Sequence, residues 1–136
     1  MLKIKVKILI VFCLLFFNST VQAKSPSKLI VEIVDKASSI LSGNATDDEK
    51  IIQLNEIAEN SVDIKGIGFY TLGKFRKNIS SEEQDRYADL FRKYFLKSFS
   101  SRLVTYTDPK INVISEKVVN EKYTIVNSVL VATEKR

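Results

Sequence analysis

The sequence predicts an α+β chain in which four helices are followed by an antiparallel β-hairpin. Three observations predict it. Apolar residues recur at helical spacing between Leu29 and Leu103. Thr46 and Ser80 each precede a Glu by three positions, the signature of a capped helix start. Beyond Pro109 the apolar pattern changes to a period of two. The 136 residues are 45% hydrophobic and 27% charged, the composition of one small folded domain rather than a disordered tail.

The first 23 residues read separately. Lys3, Lys5 and Lys7 form a basic start, the run from Ile8 to Phe17 is unbroken apolar, and Val21-Gln22-Ala23 offers the residues a signal peptidase reads. Ten residues at 1.5 Å each fall well short of a hydrocarbon core of about 30 Å. A cleaved secretory signal over 1–23 is therefore expected, with Lys24 as the mature N-terminus. Its loss removes three Lys and no acid, leaving 18 basic and 16 acidic residues, a net charge of +2. It also removes Cys13, the only cysteine, so the exported chain is expected to carry no disulfide.

Taken in order, Ser25-Pro26-Ser27 opens a first helix with Leu29, Ile30, Ile33, Val34, Ala37, Ile40 and Leu41 on its apolar side and Gly43 as its stop. Thr46 with Glu49 caps a second, whose buried side is expected to be Ile51, Ile52, Leu54, Ile57, Ala58 and Val62. Asp63 to Lys77 is a third, weaker helix. Its three glycines each cost roughly 1 kcal/mol against Ala in a helix interior, which suggests close approach of a neighbouring backbone. Ser80 with Glu83 caps a long fourth helix beginning at Ser81, where Tyr87, Leu90, Phe91, Tyr94, Phe95, Phe99 and Leu103 form one broad stripe. Nine of the ten aromatic residues beyond the leader lie between Gly66 and Tyr106, so the fold should be organised around that segment. Thr107-Asp108-Pro109 marks a turn, a strand runs from Lys110, and Tyr123 to Thr133 is rich in β-branched residues and reads as its partner. These two strands are expected to be the whole sheet.

Composition excludes much chemistry. With no His and no cysteine beyond the leader, the common hydrolase triads, thiol enzymes and nearly all zinc or copper sites are out of reach. The carboxylates cluster in helix first turns, where the helix dipole accounts for them, and Gly66-x-Gly68 with Gly73 lacks the preceding strand of a phosphate loop. Neither an enzyme nor a cofactor is expected. A net charge of +2 with interleaved acids argues against a nucleic-acid partner. A lone hairpin leaves a strand edge unpaired, so the chain either pairs with another polypeptide or is the front part of a longer fold; the second is preferred.

Several motifs resemble the MlaC family, also called the toluene-tolerance family. They are Leu72-Gly73-Lys74-Phe75-Arg76, the Ser80-Ser81-Glu82-Glu83-Gln84 cap, Phe91-x-x-Tyr94-Phe95, Phe99-x-x-x-Leu103-x-x-Tyr106, and the alternating strand at Lys110 to Ile114. Phe75 stands where the family commonly has Trp, and Phe99 where it has Tyr. The resemblance implies one MlaC-like domain over 24–136 in the periplasm, with helices and a twisted sheet enclosing an apolar pocket for a glycerophospholipid. It also implies partners: an inner-membrane ABC lipid-transport complex and an outer-membrane lipoprotein complex, between which lipid is shuttled. Family members continue through further strands, a W-K-x-x-D-V segment and a G-x-S-L motif, so the domain is expected to be C-terminally incomplete.

Carriage of this kind needs no reaction. Each buried acyl CH₂ contributes about 0.8 kcal/mol, so two chains gain on the order of 20 kcal/mol before ordering costs. By position, Phe69, Leu72, Phe75, Phe91, Phe95, Phe99, Val113, Ile125 and Val129 are the candidate lipid-lining residues, each with plain core packing as its alternative. Lys74, Arg76 and Lys77 could meet a lipid phosphate or a partner, or form a solvated basic turn. The competing functional reading is a non-catalytic exported interaction module, or a fragment that needs a partner to complete its sheet.

Overall fold

The computed structural model describes residues 24–131 and 134–135. The expected signal segment, 1–23, lies outside the described residues. The described chain forms α1 (Pro26–Ser42), α2 (Asp47–Ser61), α3 (Ile64–Leu72), a 3-10 turn (Gly73–Lys77), α4 (Ser81–Leu103), β1 (Tyr106–Thr107), β2 (Lys110–Asn120), β3 (Tyr123–Val131) and β4 (Glu134–Lys135). Four helices followed by an antiparallel hairpin is the α+β arrangement the sequence predicts.

The helix starts follow from local chemistry. Thr46 Oγ1 accepts from the Glu49 N–H at 3.3 Å while the Glu49 carboxylate accepts from the Thr46 N–H at 2.9 Å. Ser80 and Glu83 repeat that box at 3.2 and 2.8 Å, so each helix has two of its orphan donors satisfied. Asp63 caps α3 by accepting from the Gly66 N–H at 2.9 Å. The third helix ends sooner than expected, at Leu72, because Gly73 adopts φ +58°, a conformation open to glycine and costly for other residues. Only the tighter 3-10 turn continues to Lys77.

α1 has two caps, one local and one from far along the chain. Ser25 Oγ accepts from the Lys28 N–H at 3.3 Å, and the Glu116 carboxylate of β2 accepts from the Ser27 N–H at 3.1 Å and from the Ser27 hydroxyl. Toward the other end of α1, Ser38 Oγ donates to Asp108 at 2.6 Å. These two contacts hold the hairpin along α1, its main neighbour among the helices.

The core is small. Leu41, Leu54, Ala58, Ile64 and Leu96 are buried, with Val62, Phe91, Phe95 and Phe99 packed against the Ala58–Ile64–Leu96 centre. Lys50 is 2% exposed, and its Nζ donates to the Leu41 carbonyl at 2.9 Å. That carbonyl is one of the orphan acceptors at the end of α1, where the helix dipole favours a cation.

In the hairpin, β2 and β3 pair antiparallel from Lys110↔Val131 to Asn120↔Tyr123, and the register shifts between Val113 and Ser115 and again between Val118 and Asn120. Both shifts put the extra residue in β2, at Ile114 and Val119, while β3 runs without interruption. Contrary to expectation, the hairpin is not the whole of the sheet structure: a second, separate two-stranded sheet pairs β1 with β4 at Tyr106↔Lys135 and Thr107↔Glu134. Asp108, at φ 50°, turns the chain from that ladder into β2 and pairs with Lys110 at 3.0 Å. The Ser38 hydrogen bond, followed by Lys110, holds the Asp108 carboxyl below its ordinary value.

Candidate functional site

The aromatic content of the chain is gathered on one side of α4. Tyr87, Phe91, Phe95 and Phe99 lie four residues apart, so a helix stacks them in a column. Their ring centroids are 6.0, 6.3 and 5.6 Å apart with planes within 28° of parallel. At about 0.5–1.5 kcal/mol per aromatic pair beyond area burial, the three pairs, all within α4, contribute roughly 2–4 kcal/mol to the stability of the helix itself.

α3 crosses this column at Gly68. A Cβ there would lie 2.9 Å from Phe91 Cδ1 and 3.1 Å from Cγ, so glycine is what lets the ring lie against the helix. The close neighbour is a side chain and not, as the sequence suggested, a backbone. The crossing is fixed by Thr71 Oγ1 at 3.0 Å from the Tyr87 hydroxyl and by Lys65, which sits 5.5 Å over the Phe69 ring and 3.6 Å from Asp85. On its other flank α4 meets α2 through Leu96, the buried Ser100 and an Arg92–Glu59 ion pair.

The expected stripe on α4 is only partly covered. Leu90 and Tyr94 are 55% and 70% exposed, whereas Leu96 and Ser100, outside the expected stripe, are buried. The physical reason is angular. α2 and α3 cover adjoining arcs of α4, and the Leu90–Tyr94 arc lies on the far side of Phe91 from both.

Of the candidate lining residues, Phe69 and Leu72 on α3 and Phe91, Phe95 and Phe99 on α4 are half-buried at one helix–helix junction. Phe75 stands apart on the 3-10 turn, 61% exposed, with Lys74 Nζ 5.8 Å above its ring. Lys74, Arg76 and Lys77 are all exposed there, and Gln84 Nε2 ties the turn to α4 by donating to the Arg76 carbonyl at 3.0 Å.

The strand candidates divide between two faces. Cross-strand partners share a face, so Ile111 and Val113 of β2 lie with Ser128 and Leu130 of β3. Beyond the Ile114 bulge the same face continues through Glu116 and Val118 opposite Val126 and Thr124. This face carries the half-buried Ile111, Val113, Thr124 and Val126, and the Glu116 bond to Ser27 shows that it looks toward α1. Ile125 and Val129 lie on the opposite face, half exposed, with Tyr123 and Val131. Val113 is thus separated from Ile125 and Val129 by the thickness of the sheet, and the hairpin shares no extensive packing surface with α3 or α4.

Two clefts lie between described helices. One, of about 420 Å³ between α1 and α2, has a mixed lining in which Ile40 and Ile57 lie among Lys36, Gln53, Glu56 and Asn60. The other, also about 420 Å³, lies between α2 and α4 over Ile51 and Leu96, with Lys93 and Lys97 among its lining. Asn55 also lines it, and its buried Oδ1 has no hydrogen-bond partner among the described residues. The sequence reading named neither cleft. The buried Lys50 had a visible signal, standing four and eight residues before Leu54 and Ala58. Among the described residues no group of three His, Cys, Asp or Glu side chains is placed to hold a metal, and no helix is long and apolar enough to cross a membrane.

A family model described as MlaC protein matches residues 27–136. No curated protein and no solved structure matches the chain.

Proposed function

The chain belongs to the MlaC family, whose members are periplasmic phospholipid-binding transport proteins, and from that premise we propose that it carries a glycerophospholipid across the periplasm. In this reading lipid passes between an outer-membrane lipoprotein complex and an inner-membrane ABC lipid-transport complex. A cleaved signal over 1–23 would deliver the chain to that compartment. No bond is made or broken; the protein exchanges water for an apolar surface around the acyl chains, at about 0.8 kcal/mol per CH₂.

The observation that carries the reading is the family match, which spans every described element but the first residue of α1. The aromatic column supports it. Phe91, Phe95 and Phe99 on α4 and Phe69 and Leu72 on α3 are half-buried and in this reading would supply one apolar wall, with Val113 on the α1 side of the hairpin supplying a second. Phe75, Ile125 and Val129 are exposed apolar groups that would meet lipid at the rim. Lys74, Arg76 and Lys77 stand beside Phe75, where a phosphate would find cations.

The test is to express the full chain in a periplasm, purify the product, and examine it by native mass spectrometry with solvent extraction. Phospholipid near one per chain is the expected result. A folded product that carries none, even after incubation with phospholipid vesicles, overturns the carrier reading.

A further inference from the structure

The turn between α3 and α4 differs from the surface around it in how its charge is met. From Ile64 to Ser81 the chain carries Lys65, Lys74, Arg76 and Lys77 and no acid. On the neighbouring helices Lys65, Arg92 and Lys93 each have a carboxylate partner, in Asp85, Glu59 and Asp89. Lys74, Arg76 and Lys77 are all exposed and make no ion pair among the described residues.

These cations surround apolar side chains that are also in water. Phe75 stands among the three, 61% exposed, with Lys74 Nζ 5.8 Å over its ring. Tyr70, at the same end of α3, is 86% exposed, the most exposed of the large apolar side chains among the described residues. The backbone beneath them is held. Gly73 N–H donates to the Tyr70 carbonyl, Asn78 N–H donates to the Phe75 carbonyl at 2.9 Å, and Gln84 Nε2 ties the Arg76 carbonyl to α4. A fixed backbone under exposed side chains lowers the ordering cost when a surface binds there.

One kind of surface answers both halves of this patch: negative charge outside and hydrocarbon beneath. Clustered Lys and Arg are drawn to anionic headgroups, and aromatic rings settle at headgroup depth with their apolar body inward. An acidic protein would meet the cations and leave the rings in water. We propose that the segment from Tyr70 to Lys77 docks the protein on an anionic lipid bilayer, with Phe75 entering the headgroup layer and Lys74, Arg76 and Lys77 on the phosphates around it. The contact goes beyond carriage, because it concerns a surface the chain lands on and not a molecule it encloses. A lipid-free protein satisfies it equally.

The test is sedimentation of the purified protein with sucrose-loaded vesicles, either phosphatidylcholine alone or equimolar phosphatidylcholine and phosphatidylglycerol. Wild type should pellet with the mixed vesicles and not with phosphatidylcholine alone. Salt should release it, as the screening length falls from about 10 Å at 0.1 M to about 3 Å at 1 M. K74Q/R76Q/K77Q should bind on the order of a hundred-fold more weakly, and F75A roughly ten-fold. K28Q/K117Q/K122Q, which removes the same charge from α1 and the hairpin, should bind like wild type. All variants should keep the wild-type circular dichroism spectrum, since every side chain changed is exposed. A wild type that stays in the supernatant, equal binding to both vesicles, or equal weakening by the two triple variants overturns the proposal.

The chain contains no Trp, so F75W places a single reporter at the contact. Its emission should shift to the blue with the mixed vesicles and stay unchanged with phosphatidylcholine alone, which also offers a carrier its cargo. An indole that remains solvent-exposed in pelleted protein overturns the placement of Phe75. The two functional readings fail separately. Lipid extracted from a protein that never pellets leaves carriage standing and overturns docking, whereas a lipid-free protein that pellets does the reverse.

Discussion

Substituting Gly68 by Ala tests the junction on which the aromatic column depends. The added Cβ would meet Phe91 at 2.9 and 3.1 Å, against an ordinary carbon separation of about 3.5–4.0 Å. The ring must therefore retreat by more than half an ångström. It has little room to do so, because Tyr87 and Phe95 stack on either side of it at 6.0 and 6.3 Å. Overpacking of this kind costs about 1–3 kcal/mol, and the gain in helix propensity from Gly to Ala returns up to about 1 kcal/mol. A net loss of about 1–2 kcal/mol is expected, read as a fall in Tm of roughly 5–10 °C for a domain of this size. Pairing G68A with F91L, which withdraws the ring edge, should recover part of the loss and give an interaction energy above about 0.5 kcal/mol in a double-mutant cycle. A G68A protein as stable as wild type, or a strictly additive cycle, would refute the close-contact argument.

Four further outcomes follow from the same structure. The two capping boxes hold Glu49 and Glu83 below the ordinary glutamate value of 4.5, chiefly through the backbone N–H of Thr46 and of Ser80; their stabilisation is present above that value and lost as pH falls through the depressed folded pKa values, so an E49Q/E83Q protein should show a shallower loss of Tm below pH 4.5 than wild type. Glu116→Ala removes the distant cap of α1 and should cost about 1 kcal/mol in chemical denaturation, with Glu116→Gln, which keeps an acceptor, losing less. Lys50→Ala leaves a cavity where the buried stem packed and should cost about 2–5 kcal/mol, whereas Lys50→Met, which refills that volume, should cost markedly less in the same urea titration. Phe75→Ala should leave Tm nearly unchanged, because the ring is 61% exposed; a fall in phospholipid per chain in that variant therefore reports on lipid contact and not on folding.

The helices were legible because their determinants are local. Thr46 with Glu49 and Ser80 with Glu83 satisfy their own helix ends within four residues, so no tertiary contact was needed to find them. The end of α3 was less visible, since Gly73 could be read either as a costly interior glycine or as a stop. Which side of α4 is covered could not be read from spacing. Leu90 and Tyr94 satisfy the periodicity as well as Phe91 and Phe95, and the choice between them depends on where α2 and α3 lie. Lys50 was read past because a cation at a buried helical position gains its place from a carbonyl nine residues earlier, at the end of another helix.

The strand faces illustrate a different loss of information. With strict alternation, Val113 would share its face with Ser115 and Lys117, and the whole distal half of β2 would be inverted relative to its observed position. The bulge at Ile114 reverses that parity, bringing Glu116 round to the α1 side, where its carboxylate caps Ser27. No Gly or Pro marks the bulge in the sequence. Its reason is tertiary: only after the reversal does the single acidic residue of β2 reach the positive end of α1. The same irregularity interrupts the outer edge of β2, while β3 runs without a bulge. One inserted residue thus fixes which face of the distal hairpin leans on α1.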